Sequence, residues 1–369
     1  MTFMPTSVAI IDPVGSKAGL DHYDLSLLNQ LKEMGCDTLL FSNFQSDYGK
    51  AYFDHREKHS VLSVVSLFRK YRRVIKECRK RRVKNIIFHV FHFNRMDEWV
   101  LRKASDSGFN VVLIIHDVES FIYSSNKSRI KKICRYAGHL VVHNEFTKNE
   151  LLKILGENGP VIINQIPHGN FSVLAKEKIS ENEARKRLSF PVDQPVILFF
   201  GMIKPSKGLD VFLEALPLIN GSVRSVVAGR MRGHDFHPYE KIIQRTSMQD
   251  KIDLRIRFIP NEERNLLFSA ADVIVLPYRK IYQSGVLLMA MSYGLPVVAS
   301  NLPAMREIIR DGENGILFRD GQPQELADKI NLLLSSPELP EKLKLQAMKD
   351  CEEKYNWKMI ADSFYSLLS

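Results

Sequence analysis

The strongest constraint on the fold is a repeated alternation of short apolar, β-branched runs with longer helical patterns. Val8–Ile11, Thr38–Phe41, Asn85–Val90, Val111–Ile115, Leu140–Val142 and Val161–Ile163 form a first series. A polar, charged stretch from Ala175 to Gln194 follows. A second series then begins with Val196–Phe200, Val223–Ala228, Ile252–Phe258, Val273–Leu276 and Pro296–Ala299. Parallel strands buried on both faces read as continuous apolar runs, and crossover helices must separate them. The pattern therefore predicts an α/β chain with two doubly wound parallel sheets, one in residues 1–175 and one in residues 190–350. The boundary falls near residues 170–190, where Glu177, Glu181, Asn182, Glu183 and Lys186 interrupt the apolar pattern. A closing helix within residues 351–369 puts Trp357, Ile360, Phe364 and Leu367 on one face, which needs a docking surface. We expect it to pack back toward the first domain. Open α/β sheets bind ligands beyond the C-terminal ends of their strands, so two facing Rossmann-like domains predict an interdomain cleft as the functional site.

A length of 369 residues fits two domains at roughly 150 residues each. Met1–Ser7 lacks a basic region followed by an apolar one, and no stretch approaches the roughly 18 apolar residues of a membrane span. The expected location is cytoplasmic. Cys36, Cys78, Cys134 and Cys351 are scattered, with neither a Cys-x-x-Cys pair nor a His at metal-ligand spacing. They read as reduced packing residues, and no metal site is expected.

Nearly all of the formal +10 charge lies in one segment, since Arg69–Lys84 holds ten basic residues and one acidic, Glu77. Phe68, Tyr71, Ile75 and Cys78 recur at helical spacing, so the segment reads as a basic amphipathic helix. Its outward residues Arg69, Lys70, Arg72, Arg73, Lys76, Arg79 and Lys80 suit an anionic membrane surface, at about 1 kcal/mol per basic residue. A solvated helix flank is the plainer alternative. Nucleic acid would also attract such charge, but no reader motif or base-stacking platform accompanies it. The reading is a protein peripheral on the inner face of the cell membrane, without a nucleic-acid partner.

Two loops carry phosphate-binding chemistry. After the run Val196–Phe200 comes Gly201-Met-Ile-Lys-Pro-Ser-Lys-Gly208, in which glycines allow close anion approach and Lys204 and Lys207 supply charge. After Val273–Leu276 comes Pro277-Tyr278-Arg279, then Gln283-Ser-Gly-Val286 and a helix from Leu287 to Tyr293. Ser284 can cap that helix while the Gly285 and Val286 amides face a phosphate at its positive end. A bare cap and a solvated basic loop would look the same in sequence. Both loops follow strands of one predicted sheet, which would bring them to one crevice.

These residues carry a resemblance. Phe200-Gly-x-Ile-x-Pro-x-Lys-Gly-Leu-Asp210, Arg257-Phe-Ile-Pro260, Ala271-Asp-Val-Ile-Val-Leu-Pro277, Gln283-Ser-Gly, Gly294-x-Pro-Val-Val298 and Asp311-Gly-x-Asn-Gly315 together resemble family 4 glycosyltransferases of the GT-B fold. The resemblance covers residues 196–320 well and extends to the Trp357 helix. It implies a retaining, metal-independent transfer from a nucleotide-diphosphate sugar, with no resident cofactor. The donor would be held by the second domain and a saccharide acceptor by the first. Family members grip the diphosphate with an Arg and a Lys; here the Lys falls on Lys207 and the Arg position is Met202, so we assign the missing charge to Lys204. The family's paired glutamates fall on Ile281 and Met289, which cannot hydrogen-bond a hydroxyl. Gln283, Ser284 and Gly285 would take over, in a variant subgroup with Tyr278 and Val286 beside them. Glu307 matches a donor-positioning Glu, or is a first-turn helix carboxylate.

In the first half, Gly15 in the loop after the first strand is expected to reach the donor phosphate, with Gly19 and His22 toward the acceptor. Val111-Val-Leu-Ile-Ile-His-Asp117 ends an apolar strand in two ionisable residues; the resemblance gives His116 the place facing the donor sugar, and Asp117 would orient it or meet the acceptor hydroxyl. Together with Lys207 they are the candidate catalytic residues, an ordinary strand-end pair being the alternative. His89 and His92 are acceptor-side candidates, or packing residues among aromatic neighbours. His143, Glu145 and Lys148 follow another strand, and His168 lies near the hinge. Because the basic helix belongs to the acceptor domain, a lipid-linked saccharide in cell-surface polysaccharide or glycolipid assembly is the favoured acceptor. Sugar-nucleotide epimerisation or hydrolysis on the same fold is the alternative chemistry, and loss of the glutamates leaves an inactive relative open.

Overall fold

The computed structural model describes residues 6–17, 19–53, 61–91, 93–118, 126–156 and 161–368. The chain divides into two compact units, 1–169 with 356–369 and 170–355. The first unit contains strands β1 (Ser7–Asp12), β2 (Asp37–Ser42), β3 (Asn85–Val90), β4 (Asn110–Ile115), β5 (His139–Val142) and β6 (Ile162–Gln165). They form one sheet in the order β2-β1-β3-β4-β5-β6, with every pair parallel. Helices α1 (Asp21–Glu33), α2 (Val61–Lys80), α3 (Arg95–Ser105), α4 (Lys127–Cys134) and α5 (Glu145–Leu155) make the crossovers. Local sequence fixes their starts. Asn94 caps α3 in a full capping box with Asp97, and Asn144 caps α5 by accepting from the Thr147 amide at 2.7 Å.

The second unit holds α6 (Ser172–Ala175), α7 (Glu181–Leu188), β7 (Val196–Phe200), α8 (Leu209–Ala215), β8 (Arg224–Ala228), α9 (His237–Arg245), β9 (Ile252–Arg255), α10 (Asn261–Ala270) and β10 (Val273–Leu276). It continues with α11 (Gly285–Ser292), β11 (Val297–Ser300), α12 (Pro303–Arg306), β12 (Ile316–Phe318), α13 (Pro323–Ser335) and α14 (Leu339–Lys354). Its parallel sheet runs β12-β11-β10-β7-β8-β9. Two doubly wound sheets are thus present, as the alternating runs predict. Two details differ. The run Ile252–Phe258 stops as a strand at Arg255, because Phe258 is exposed and Arg255 and Arg257 turn toward Glu263 on α10. β12 has only three residues, too few for a periodic signal.

The last helix, α15 (Trp357–Tyr365), returns to the first unit. Trp357, Ile360, Ala361 and Phe364 join Tyr23, Leu27, Leu28 and Leu31 of α1 in one apolar cluster. Gly169 is required by this packing: a Cβ there would lie 2.2 Å from Trp357 Cε2.

In the second unit a buried guanidinium ties α7 to the sheet. Arg185 donates to the Ala270 carbonyl at 3.2 Å and to Asp272 Oδ2 at 2.6 Å, and that same carboxylate accepts from the Val196 amide at 2.6 Å. Truncating one member of such a pair strands the other. Arg185→Ala should therefore cost about 3 kcal/mol in urea denaturation, and a loss below 0.5 kcal/mol, the size of an ordinary surface change, would contradict this role.

Candidate functional site

β7 opens the second unit's sheet and has β10 on one side and β8 on the other, so the strand order reverses at β7. Ligand crevices form at such points. The loop after β7 runs from Gly201 to Gly208 and the loop after β10 from Pro277 to Ser284, and they are in intimate contact. Gly208 has φ +65°, and a Cβ there would come within 1.8 Å of the Pro277 carbonyl oxygen. The Arg279 amide donates to the Ser206 carbonyl at 2.9 Å. Lys207 Nζ lies 3.6 Å from the centroid of the buried Tyr278 ring, a cation–π contact that fixes the ammonium over the second loop. Arg279 itself pairs with Asp210 at the start of α8.

Ser284 caps α11, its hydroxyl accepting from the Leu287 amide at 3.2 Å. Among the described residues no group accepts from the Gly285 or Val286 amide, which leaves the helix end as a donor pair. Val286 also borders the first loop: a Cβ on Gly201 would sit 3.4 Å from Val286 Cγ2. Three buried polar atoms in these loops, Ser206 Oγ, Tyr278 Oη and Gln283 Nε2, have no hydrogen-bond partner. Ser284 stands beside the Tyr278 hydroxyl outside hydrogen-bond geometry. Buried polar groups are normally paired, so three orphans in adjoining loops make these loops a candidate ligand site.

The structure thus gathers Gly201, Lys204, Lys207, Tyr278, Gln283, Ser284, Gly285 and Val286 into two abutting loops. Ile281 and Met289 are buried apolar residues. Glu307 is exposed and follows the last turn of α12, so the first-turn alternative for its carboxylate does not hold. A further cation is one that local sequence could not place. The loop after β8 pairs with the β7 loop through Ile203 N to Arg230 O (2.9 Å) and Arg232 N to Ile203 O (3.2 Å). It brings the Arg232 guanidinium 3.9 Å from Met202 Sδ, the position that lacks the expected arginine.

The first unit's candidates are arranged differently. Gly15 (φ +42°) permits a close approach, but to protein: a Cβ would lie 2.4 Å from Ser42 Oγ and 2.5 Å from Asn43 Oδ1. Asn43 accepts from the Ser16 amide and hydroxyl and donates to the Pro13 and Val14 carbonyls, which ties this loop to the end of β2. Gly19 is open and exposed, and His22 is half-buried, its ring edge-on to Trp357 at 6.0 Å. Asp117 is half-buried just after β4, and His92 lies outside the described residues.

His116 and His89 are interior residues rather than surface ones. His89 Nδ1 is 2.8 Å from His116 Nε2, and His116 stacks on Phe91 at 4.4 Å. His89 Nε2 is 3.0 Å from Asp24 Oδ1, off hydrogen-bond angle. His143 and His168 each donate through Nδ1 to a carbonyl, of Ile166 and Gly169, and the Tyr23 ring borders all four imidazoles. Burial keeps the four imidazoles neutral, taking His143 down to about 4 and His116 well below the usual range. Burial, then the adjacent Asp24, pushes the Asp12 carboxyl at the end of β1 up to about 7, and burial raises Asp24 as well. Among the described residues no group of three or more His, Cys, Asp or Glu is arranged to hold a metal ion.

On α2, Tyr71, Val74, Ile75 and Cys78 are buried while Arg69, Arg72, Arg73, Lys76, Arg79 and Lys80 are exposed and Lys70 is half-buried. All four cysteines are free and buried. No described helix is long and apolar enough to cross a membrane.

The loops at the β7 switch form the candidate site of an α/β unit. Residues 180–350 match the family described as "Glycosyl transferases group 1". D-inositol 3-phosphate glycosyltransferase of Xylanimonas cellulosilytica is 33% identical over 155 residues, 41% of this chain and 36% of that one. The chain spans less than half the length of the curated relatives it matches first. Over nearly the whole chain the fold is that of solved GT-B structures. Sucrose-phosphate synthase from Thermosynechococcus elongatus has a TM-score of 0.78 at 19% identity, covering 98% of each chain. Anabaena HepE, solved with UDP and glucose, has a TM-score of 0.76 at 16% identity, covering 98% of this chain and 99% of its own. The match to that family therefore falls within the second unit, and the two Rossmann-like sheets are those of the GT-B fold.

The buried acids predict a pH effect. A carboxyl whose folded pKa is raised stabilises the fold fully below its unfolded pKa and loses that contribution as pH rises through the folded value. For Asp12 the window runs from about 4 to about 7. The stability difference between Asp12→Asn and wild type should move in the variant's favour across that window and stay flat above it, as read by urea midpoints at several pH values. A difference independent of pH would contradict a buried neutral carboxyl.

Proposed function

We propose that this protein is a retaining, metal-independent glycosyltransferase that moves a sugar from a nucleotide-diphosphate donor to a saccharide acceptor, lipid-linked, in cell-surface polysaccharide or glycolipid assembly. The observation that carries the reading is the convergence of Lys207, the free α11 amides and the orphaned Ser206, Tyr278 and Gln283 groups in two abutting loops. Departure of the sugar leaves a diphosphate of growing negative charge. Preorganised cations and amides stabilise such charge more in the transition state than in the ground state. Lys207, Lys204 and Arg232 supply the cations, Arg232 standing in where Met202 replaces an arginine. Gln283 and Ser284 serve the remaining donor contacts. No side chain in these loops offers an obvious nucleophile, which favours same-face attack with the departing phosphate taking the acceptor proton.

The first unit supplies the acceptor side. Asp117, at a strand end and only half-buried, is the residue for the acceptor hydroxyl. His116 acts through position: it braces the end of β4 as a neutral imidazole. The exposed basic face of α2 holds the protein on an anionic membrane surface.

Lys207→Ala should raise the donor dissociation constant at least tenfold, about 1.4 kcal/mol, with nucleotide diphosphate released only when acceptor is added. Release without acceptor would favour hydrolysis, and an unchanged constant would remove Lys207 from the site. Co-sedimentation at low salt should favour anionic over neutral liposomes; equal binding to both would remove the membrane role.

A further inference from the structure

α2 and α3 of the first unit enclose a cavity of about 750 Å³ lined by Arg69, Arg72, Arg73, Lys76, Arg79 and Lys103. Asp106 is the acidic residue on its wall, and none of the six cations has a carboxylate within ion-pair distance among the described residues. That is unlike the second unit, where Arg255 and Arg257 share Glu263. The cations of a structural network come with their counter-charge. Here it is missing, and the mutual repulsion of six cations in one hollow is relieved by an anionic ligand. Four of the six are arginines, whose planar forks match phosphate oxygens two at a time.

The floor is apolar. Phe68 of α2 packs on Trp99 of α3 with ring centroids 4.1 Å apart, and Ile75 adjoins them. Trp99 also borders a second hollow of about 360 Å³ that carries Arg95, Arg102 and Arg129 beside the paired Glu98 and Lys132. At the N-terminal end of α2, Val64 and Val65 are 57% and 41% exposed, which extends apolar surface along the same helix. A simple polyanion uses the cations and leaves the aromatic floor idle; a neutral chain does the reverse.

We propose that the α2–α3 groove is a binding site for a phosphate-bearing lipid, its phosphates held by Arg69, Arg72, Arg73, Lys76 and Arg79 and the start of its hydrocarbon chain on Phe68 and Trp99. This deepens the lipid-linked acceptor reading and rests on it only for what the phosphate carries. It differs from general attraction to an anionic surface in being saturable and in needing chain and phosphate on one molecule.

Calorimetric titration with farnesyl diphosphate, inorganic pyrophosphate and farnesol separates the sources, and Trp99 fluorescence locates the binding, with Trp99→Phe as its control. Farnesyl diphosphate should bind saturably at one site and shift the Trp99 emission, with pyrophosphate and farnesol each at least tenfold weaker. Arg72→Ala with Lys76→Ala, both exposed, should weaken farnesyl diphosphate at least tenfold at an unchanged melting temperature. Lys207→Ala should leave its affinity unchanged, so failure here is distinguishable from failure of the donor reading. Equal affinity for pyrophosphate and farnesyl diphosphate, no saturation, indifference to the double variant, or tighter competition by a short RNA would each overturn the proposal.

Discussion

The close passage of the β7 loop against the β10 loop is the contact on which the candidate site depends. At Gly208 any side chain would run into the Pro277 carbonyl, and the positive φ disfavours other residues in any case. Because the backbones meet there, Lys207 can settle on the Tyr278 ring and the start of α11 can stand beside Gly201. A second such approach secures the other flank. Gly229 has φ +155°, and a Cβ on it would lie 1.7 Å from the Gly201 carbonyl oxygen. The first loop is therefore clamped from both neighbouring strands, which gives its cations fixed positions at the point where the sheet order reverses.

Much of this was legible in the sequence because it is local. Apolar runs set the strands, Ser284 announces a cap, and the glycines of the strand–helix turn after β7 announce close backbone approach. Relations across the chain were not legible. Asn43 and Ser42 crowd the Cβ side of Gly15, a packing reason for glycine there that comes from a strand 27 residues away. Arg232 lies beside Met202 because the loop after β8 pairs with the loop after β7, a register no periodicity encodes. That His89 and His116 lie against Asp24, Tyr23 and Phe91, residues of other elements, is likewise invisible in the strand-end pattern that marks them.

The first unit concentrates its polar chemistry in two contrasting places. Inside, four neutral imidazoles border Tyr23 and two raised carboxyls, Asp12 and Asp24, lie beside His89, where low dielectric makes each proton a matter of stability. Outside, α2 carries strong charge of one sign over a thin apolar seam. The same helix thus anchors the core through Tyr71, Val74 and Cys78 and presents cations to solvent, a division that follows directly from its 3.6-residue period.

The central claim is that the β7 and β10 loops of the second unit bind a nucleoside diphosphate. Thermal denaturation in a panel of nucleoside mono- and diphosphates, followed by amide hydrogen exchange with the best of them, tests it most directly. At a hundred times its dissociation constant a ligand stabilises the fold by about 2.7 kcal/mol. The account predicts that at least one diphosphate raises the melting temperature more than its monophosphate does, and slows exchange in residues 201–208 and 283–288. No shift from any diphosphate, or protection confined to other segments, would contradict it.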